Sequence, residues 1–252
     1  MKWFVKEGSI VREIWGNADT ILFIFAGASA EFAVNKSVDW LYFTGKLPAD
    51  PLGRLFSTVS YARRIVFSEY DAALKAIDQI TAIHKEVESN RGAKIPDWAY
   101  RDVLFMLIDY SIRSFELLER RLLVEEKAEI FEVFYQVGAR MGIHGLPENY
   151  DGWLKLRNQQ LDENFMKSAF SIDLYKQYRK HLGLPRYVML KEVQLQLAPT
   201  QVKQLLALGH WSALNVILPA YKLSRILHVH KFVRDLILPE KYKAQIAGLD
   251  AK

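Results

Sequence analysis

The sequence has no cysteine in its 252 residues. That absence excludes disulfides, thiolate metal sites, cysteine-held iron–sulfur clusters, cysteine-ligated haem and covalent CxxCH haem, so any metal has to be held by histidine, carboxylate or another oxygen ligand. A long uncharged apolar run is also missing. The most apolar stretch, TILFIFAGASAEFAV, is bracketed by Asp19 and Glu31 and is too short to cross a bilayer. The opening segment MKWFVKEGSIVREIW lacks both a long apolar core and a small-residue cleavage site, so it does not read as a signal peptide. The expectation is a cytoplasmic protein with scope for peripheral membrane contact. The net charge of +5 is carried without a basic block or the aromatic pattern of a nucleic-acid module, and no nucleic-acid partner is expected. HExxH, P-loop, GxGxxG and GxSxG motifs are all absent, which argues against most common enzyme classes. Repeats, low-complexity tracts and linkers are absent too.

What remains is a chain that is half hydrophobic, enough to bury a sizeable core as one domain over 1–252. Helical periodicity dominates it. A helix is predicted over 17–38. Asp50-Pro51 then gives a start signal, with Asp as N-cap and Pro in the first turn, for a helix with Leu52, Leu55, Phe56, Val59 and Val66 at helical spacing. Further helices are predicted over 69–88, over 100–123 with the all-round apolar VLFMLI in its first half, over the amphipathic EEKAEIFEVFYQVGARMG, and over 150–167 and 170–182, where GLP is a stop. KEVQLQLAP alternates Val193, Leu195 and Leu197 with glutamines, which leaves one short strand open, but its flanks are helical and it supports no sheet; 199–245 reads as two or three helices broken at Pro219 and Pro239. The class is all-α.

One histidine stands out. In QITAIHKEV, His84 falls in the middle of the apolar arc formed by Ala73, Leu74, Ala76, Ile77, Ile80, Ile83 and Val87. A buried imidazole needs a hydrogen-bond partner or a metal. Periodicity leaves both readings open and favours a core histidine satisfied by a carbonyl. In DPLGRLFSTVSYARR, Arg54, Thr58, Tyr61 and Ile65 share one helix face. An arginine fork there can bind a carboxylate, including a cofactor propionate, while a threonine can donate to a ligand or back-bond to its own helix. His228 and His230 diverge by about 200° on a helix and cannot share a metal. Asp109, Arg113, Glu116 and Arg120 read as an exposed, salt-bridged stripe.

Four segments in order, GNADTILFIFAGASAEFAV, DPLGRLFSTVSYARRIVFS, AIDQITAIHKEV and DVLFMLIDYSIRSFELL, followed by GARMGIHGLP, resemble the oxygenase family of MpaB and rubber oxygenase over about 16–235. The resemblance implies a mostly helical, globin-reminiscent fold around one non-covalent haem b. His84 of the IH..V segment would then be the proximal iron ligand, with Arg54 and Thr58 close to the haem and Tyr61 shaping the pocket. O2 and an apolar, isoprenoid- or lipid-like small molecule are the implied partners, and a haem-dependent oxygenase is the implied function. The alternative is a haem-binding or hydrophobic-ligand-binding protein of the same fold without turnover. The chain departs from the latex-clearing members in having Ser57 where they carry lysine. Their upstream glutamate has no clear counterpart, Asp39 being the nearest acid, and the chain reads Ala28-Ser29-Ala30-Glu31 where many relatives have His-Pro. These differences set it apart from the polyisoprene cleavers.

Overall fold

The computed structural model describes residues 2–226. His228, His230 and the predicted break at Pro239 lie outside them. Twelve helical segments are present among the described residues, with only isolated bridges at Trp3–Glu69 and Asn35–Phe165, so the all-α class read from the sequence is the class observed.

The helix α2 (Ala18–Val34) is central. Its side chains are buried almost all round, as befits a helix that the rest of the chain wraps. Asn17 starts it, its side chain accepting from the Asp19 and Thr20 amides. It ends at Val34, before the predicted 38, and a separate short helix α3 (Val38–Phe43) follows. A six-residue helix, α1 (Ile10–Trp15), precedes it and was not visible as periodicity. Helix α7 (Asp97–Leu118) packs along α2, with Gly27 against the Tyr110 ring, where a Cβ would overlap the aromatic carbons. In VLFMLI, four of the six residues are buried, and the remaining two, Val103 and Leu107, line a cavity. The main core gathers Trp15, Ile24, Tyr110, Phe115 and Trp153.

The predicted exposed stripe is corrected here. Asp109 and Glu31 are buried, and Arg157 of α9 (Tyr150–Glu163) joins them. Arg157 meets both Glu31 oxygens at 2.6 Å and Asp109 Oδ2 at 2.9 Å, while Arg113 Nε donates to Asp109 Oδ1 at 2.6 Å. Burial pushes the Asp109 carboxyl upward, but Arg157 and Arg113 more than offset it and hold it below the usual carboxylate range. Further on, Glu116 pairs with Arg121 and Lys127, and Arg120 with Glu126, so within the stripe only Asp109 and Arg113 pair with each other.

The alternation in KEVQLQLAP does not make a strand. Helix α10 (Ala169–Leu197) runs through KEVQLQL. The alternation misleads because Gln194 is as buried as its apolar neighbours, accepting from Tyr175 Oη and donating to Ser29 Oγ. GLP is the stop the sequence predicts: Gly183 has φ 72° and ψ 167°, a non-helical conformation that is essentially glycine-only, so α10 is two helices that meet at a kink, the second being the arm 184–197. Pro219 sits inside α12 (Leu214–Ile226), where a break was expected. Helices α8 (Val124–Arg140) and α11 (Thr200–Leu206) complete the packing.

Candidate functional site

The two helices that carry the singled-out residues are adjacent: α5 (Pro51–Val66) packs against α6 (Tyr70–Arg91). Asp50 starts α5 as the sequence predicts, its carboxylate accepting from the Gly53 amide at 3.0 Å, with Pro51 in the first turn. The apolar arc of α6 is buried only in its first half, at Ala73, Ala76 and Ile77. Further along, Ile80, Ile83 and His84 line a cavity of about 850 Å³ walled by α2, α5, α7, α8, α10 and α12. Pockets that hold small molecules and cofactors run from about 300 to 1,000 Å³. Arg54, Thr58 and Tyr61 line the same cavity as His84, so all four singled-out residues meet at one site.

His84 is half-buried on the cavity wall rather than enclosed in the core. Its Nδ1 lies 2.8 Å from the Ile80 carbonyl oxygen. A carbonyl can only accept, so Nδ1 carries the proton and Nε2 keeps a lone pair. Burial lowers the histidine pKa; the Ile80 carbonyl and Glu88 oppose that shift, while the nearby Arg54 charge adds to it. The net shift is downward, which favours the neutral imidazole. The Tyr100 ring meets it edge-on, with centroids 5.3 Å apart, and Tyr100 Oη donates to Glu88 Oε1 at 3.2 Å. Tyr100 thus braces the ring from α7, a role that sequence spacing did not reveal.

Arg54 is a partly buried cation. Its Nη1 donates to Ser57 Oγ at 3.1 Å, and among the described residues no carboxylate pairs with it. Burial lowers its pKa, with Tyr61 acting the other way. Ser57, at the position where latex-clearing proteins carry lysine, therefore serves as a hydrogen-bond partner of Arg54. Thr58 Oγ1 donates back to the Arg54 carbonyl at 3.2 Å, the back-bonded arrangement open to a helical threonine. Asp39 is engaged elsewhere, 2.7 Å from Arg91 Nη2. Among the described residues, no group of three or more His, Asp or Glu gathers to hold a bare metal ion, and no helix is long and apolar enough to cross a membrane.

The chain matches the family described as ER-bound oxygenase mpaB/B'/rubber oxygenase, catalytic domain, over residues 16–229. It belongs to this family. The match covers nearly the whole span on which the sequence motifs lie, from the first long helix through α12, and makes the chain an oxygenase-type catalytic domain, for which O2 and an organic substrate are the implied partners. No curated protein matches the chain.

Proposed function

We propose that this chain is a haem b oxygenase that acts with O2 on an apolar, isoprenoid- or lipid-like substrate. The observation that carries the proposal is the presence, on the wall of one cavity, of a histidine whose Nδ1 is committed to its own helix and a partly buried arginine that pairs with no carboxylate among the described residues. A lone histidine can hold iron when the other ligands come from a macrocycle, and the Nδ1–H bond to a carbonyl is the kind of support that orients such a ligand and makes it more basic. The residues present fit haem: His84 would hold the iron through Nε2, Arg54 would pair with a propionate, and apolar walls such as Val103, Leu107 and Phe32 would cover the macrocycle. The globin-like character of the site rests on the same placement.

Haem, when bound, supplies the activation of O2 that side chains cannot. The chain's own residues bind, orient and exclude water. The cavity lining is overwhelmingly apolar, which favours an apolar substrate and keeps bulk water away. Tyr100 and the Ile80 carbonyl fix the plane of the imidazole. Thr58 and Tyr61 put hydroxyl groups on the α5 wall; Thr58 spends its proton on the Arg54 carbonyl, so it offers lone pairs to a ligand rather than a donor.

A second reading, ligand binding without turnover, draws on that engaged threonine and on Glu192. This acid lines the cavity, but it is already accepting from Ser212 Oγ and the Ala213 amide. Haem titration of the wild type, His84→Ala and Arg54→Met, followed by absorption, tests the proposal. The wild type is expected to develop a sharp Soret band. In His84→Ala the band weakens or shifts, and in Arg54→Met haem binds more weakly. A wild type that takes up no haem overturns it. O2 consumption with apolar substrates that is lost in His84→Ala separates the oxygenase from the binding protein.

A further inference from the structure

Four side chains are at once large apolar surface groups and part of the cavity wall: Ile83 on α6, Val188 and Met189 on α10, and Ile217 on α12. They mark where the cavity opens. Around that mouth the same elements expose further apolar groups, Leu184 on α10, Val216 on α12, and Trp211 just before it, the last two at 70 % exposure each. A clustered apolar rim of this kind marks a surface meant to be covered.

The charge distribution says by what. Residues 169–226, from the start of α10 to the end of α12, contain eight Lys and Arg (176, 179, 180, 186, 191, 203, 222 and 225) and two acids, Asp173 and Glu192. Asp173 accepts from Tyr42 Oη at 3.0 Å, and Glu192 is turned inward to cap α12 through Ser212 Oγ and the Ala213 amide, at 2.7 and 2.8 Å. Residues 1–168 contain 21 Lys and Arg against 24 Asp and Glu, a net charge of −3. The chain's positive charge is therefore concentrated on α10–α12, while the stretch before them is net acidic. A second exposed apolar pair, Leu123 and Val124 at the start of α8, has Arg120, Arg121 and Lys127 beside it, but these pair with Glu126 and Glu116, and with Glu119 and Glu125 the setting carries no net positive charge.

We propose that the α10–α12 face docks on an anionic lipid bilayer, with the mouth of the cavity turned to the acyl chains. Aliphatic groups insert shallowly, Trp211 lies at the headgroup level, and the lysines and arginines reach the phosphates. That the cavity then draws its apolar substrate from the bilayer rests on the oxygenase reading above; the docking does not.

Co-sedimentation with vesicles of phosphatidylcholine plus phosphatidylserine, against phosphatidylcholine alone, tests the docking without haem or turnover. Each surface Lys or Arg contributes about fivefold near an anionic membrane, so binding should fall about tenfold or more on the neutral vesicles and weaken as salt is raised. The double variant Trp211→Ser/Val216→Asp, at two exposed positions off the cavity wall, should lose binding about tenfold or more. Leu123→Asp, the control at the apolar pair whose neighbouring charges balance, should bind as the wild type does. Equal binding to both vesicles, or equal loss in the control, overturns the proposal. So does an absence of vesicle binding, including the case of a concentration-dependent dimer abolished by Trp211→Ser/Val216→Asp, which would assign the face to a second copy. Vesicle binding by a chain that takes up no haem would leave the docking standing and remove the oxygenase reading.

Discussion

Replacing Arg157 by methionine keeps most of the side chain's volume and removes its charge. In the folded protein this guanidinium makes five hydrogen bonds, two to Glu31, two to Asp109 Oδ2 and one to Gln160. Removing it leaves Glu31 buried with no cation and Asp109 with Arg113 alone. Stranding one side of a buried ion pair costs about 3–5 kcal/mol. For a chain of this length that is a fall in Tm of about 10 °C. The pH dependence gives the diagnostic. In the wild type Asp109 is held below its usual range, so its contribution is present above the unfolded carboxylate pKa and is lost as pH falls through the lower folded value. In Arg157→Met, Asp109 keeps the burial that raises its pKa and loses the Arg157 charge that lowers it, so the folded state takes up a proton more readily and the variant's deficit shrinks as pH falls from 7 toward 5. Urea unfolding of both proteins across that window measures the difference. A deficit under about 1 kcal/mol at pH 7, or one that does not shrink in acid, would refute the claim that these charges act as a buried set. Because α2 and α7 both wall the cavity, the deficit should also weaken ligand retention there.

Other expectations follow from the same geometry. Arg54→Met should stabilise the ligand-free protein by about 1 kcal/mol, since a partly buried cation without a carboxylate is costly to fold, while lowering haem affinity; thermal unfolding and haem titration read the two opposite signs. His84 has its pKa lowered in the folded state, so its contribution is present above its ordinary value of 6.5 and is lost as pH falls below it through the lower folded pKa. Stability of the ligand-free wild type should therefore rise from pH 5 to 7 more steeply than that of His84→Gln, and parallel curves would count against a desolvated imidazole. Gly183→Ala, at a φ of 72° and ψ of 167°, should cost about 1–3 kcal/mol by calorimetry and disturb the arm that reaches the cavity mouth; a neutral substitution would mean that the turn is not required.

The long helices were legible because their apolar stripes repeat locally. The start of α5 was legible because Asp50-Pro51 carries its own mechanism, and it is observed as an Asp carboxylate on the Gly53 amide. Periodicity placed His84 on the apolar side of α6 but could not tell a core from a cavity wall, since both demand apolar neighbours. Glu31, Asp109 and Arg157 lie too far apart in sequence for any local pattern to join them, so Asp109 read as part of an exposed stripe. Gln194 defeated the alternation rule because its amide is satisfied by Tyr175 and Ser29. The charge asymmetry was in the sequence all along, as a scarcity of acids after Asp173 rather than a block of bases. Its meaning required knowing that α10 and α12 surround an opening.

Ligation at His84 is tested most directly by His84→Gly reconstituted with haem, its absorption spectrum recorded before and after adding free imidazole. The glycine variant is expected to lose the wild-type Soret band, and imidazole, entering the space left by the side chain, is expected to restore it. A His84→Gly protein whose spectrum already matches the wild type, with no response to imidazole, would contradict it.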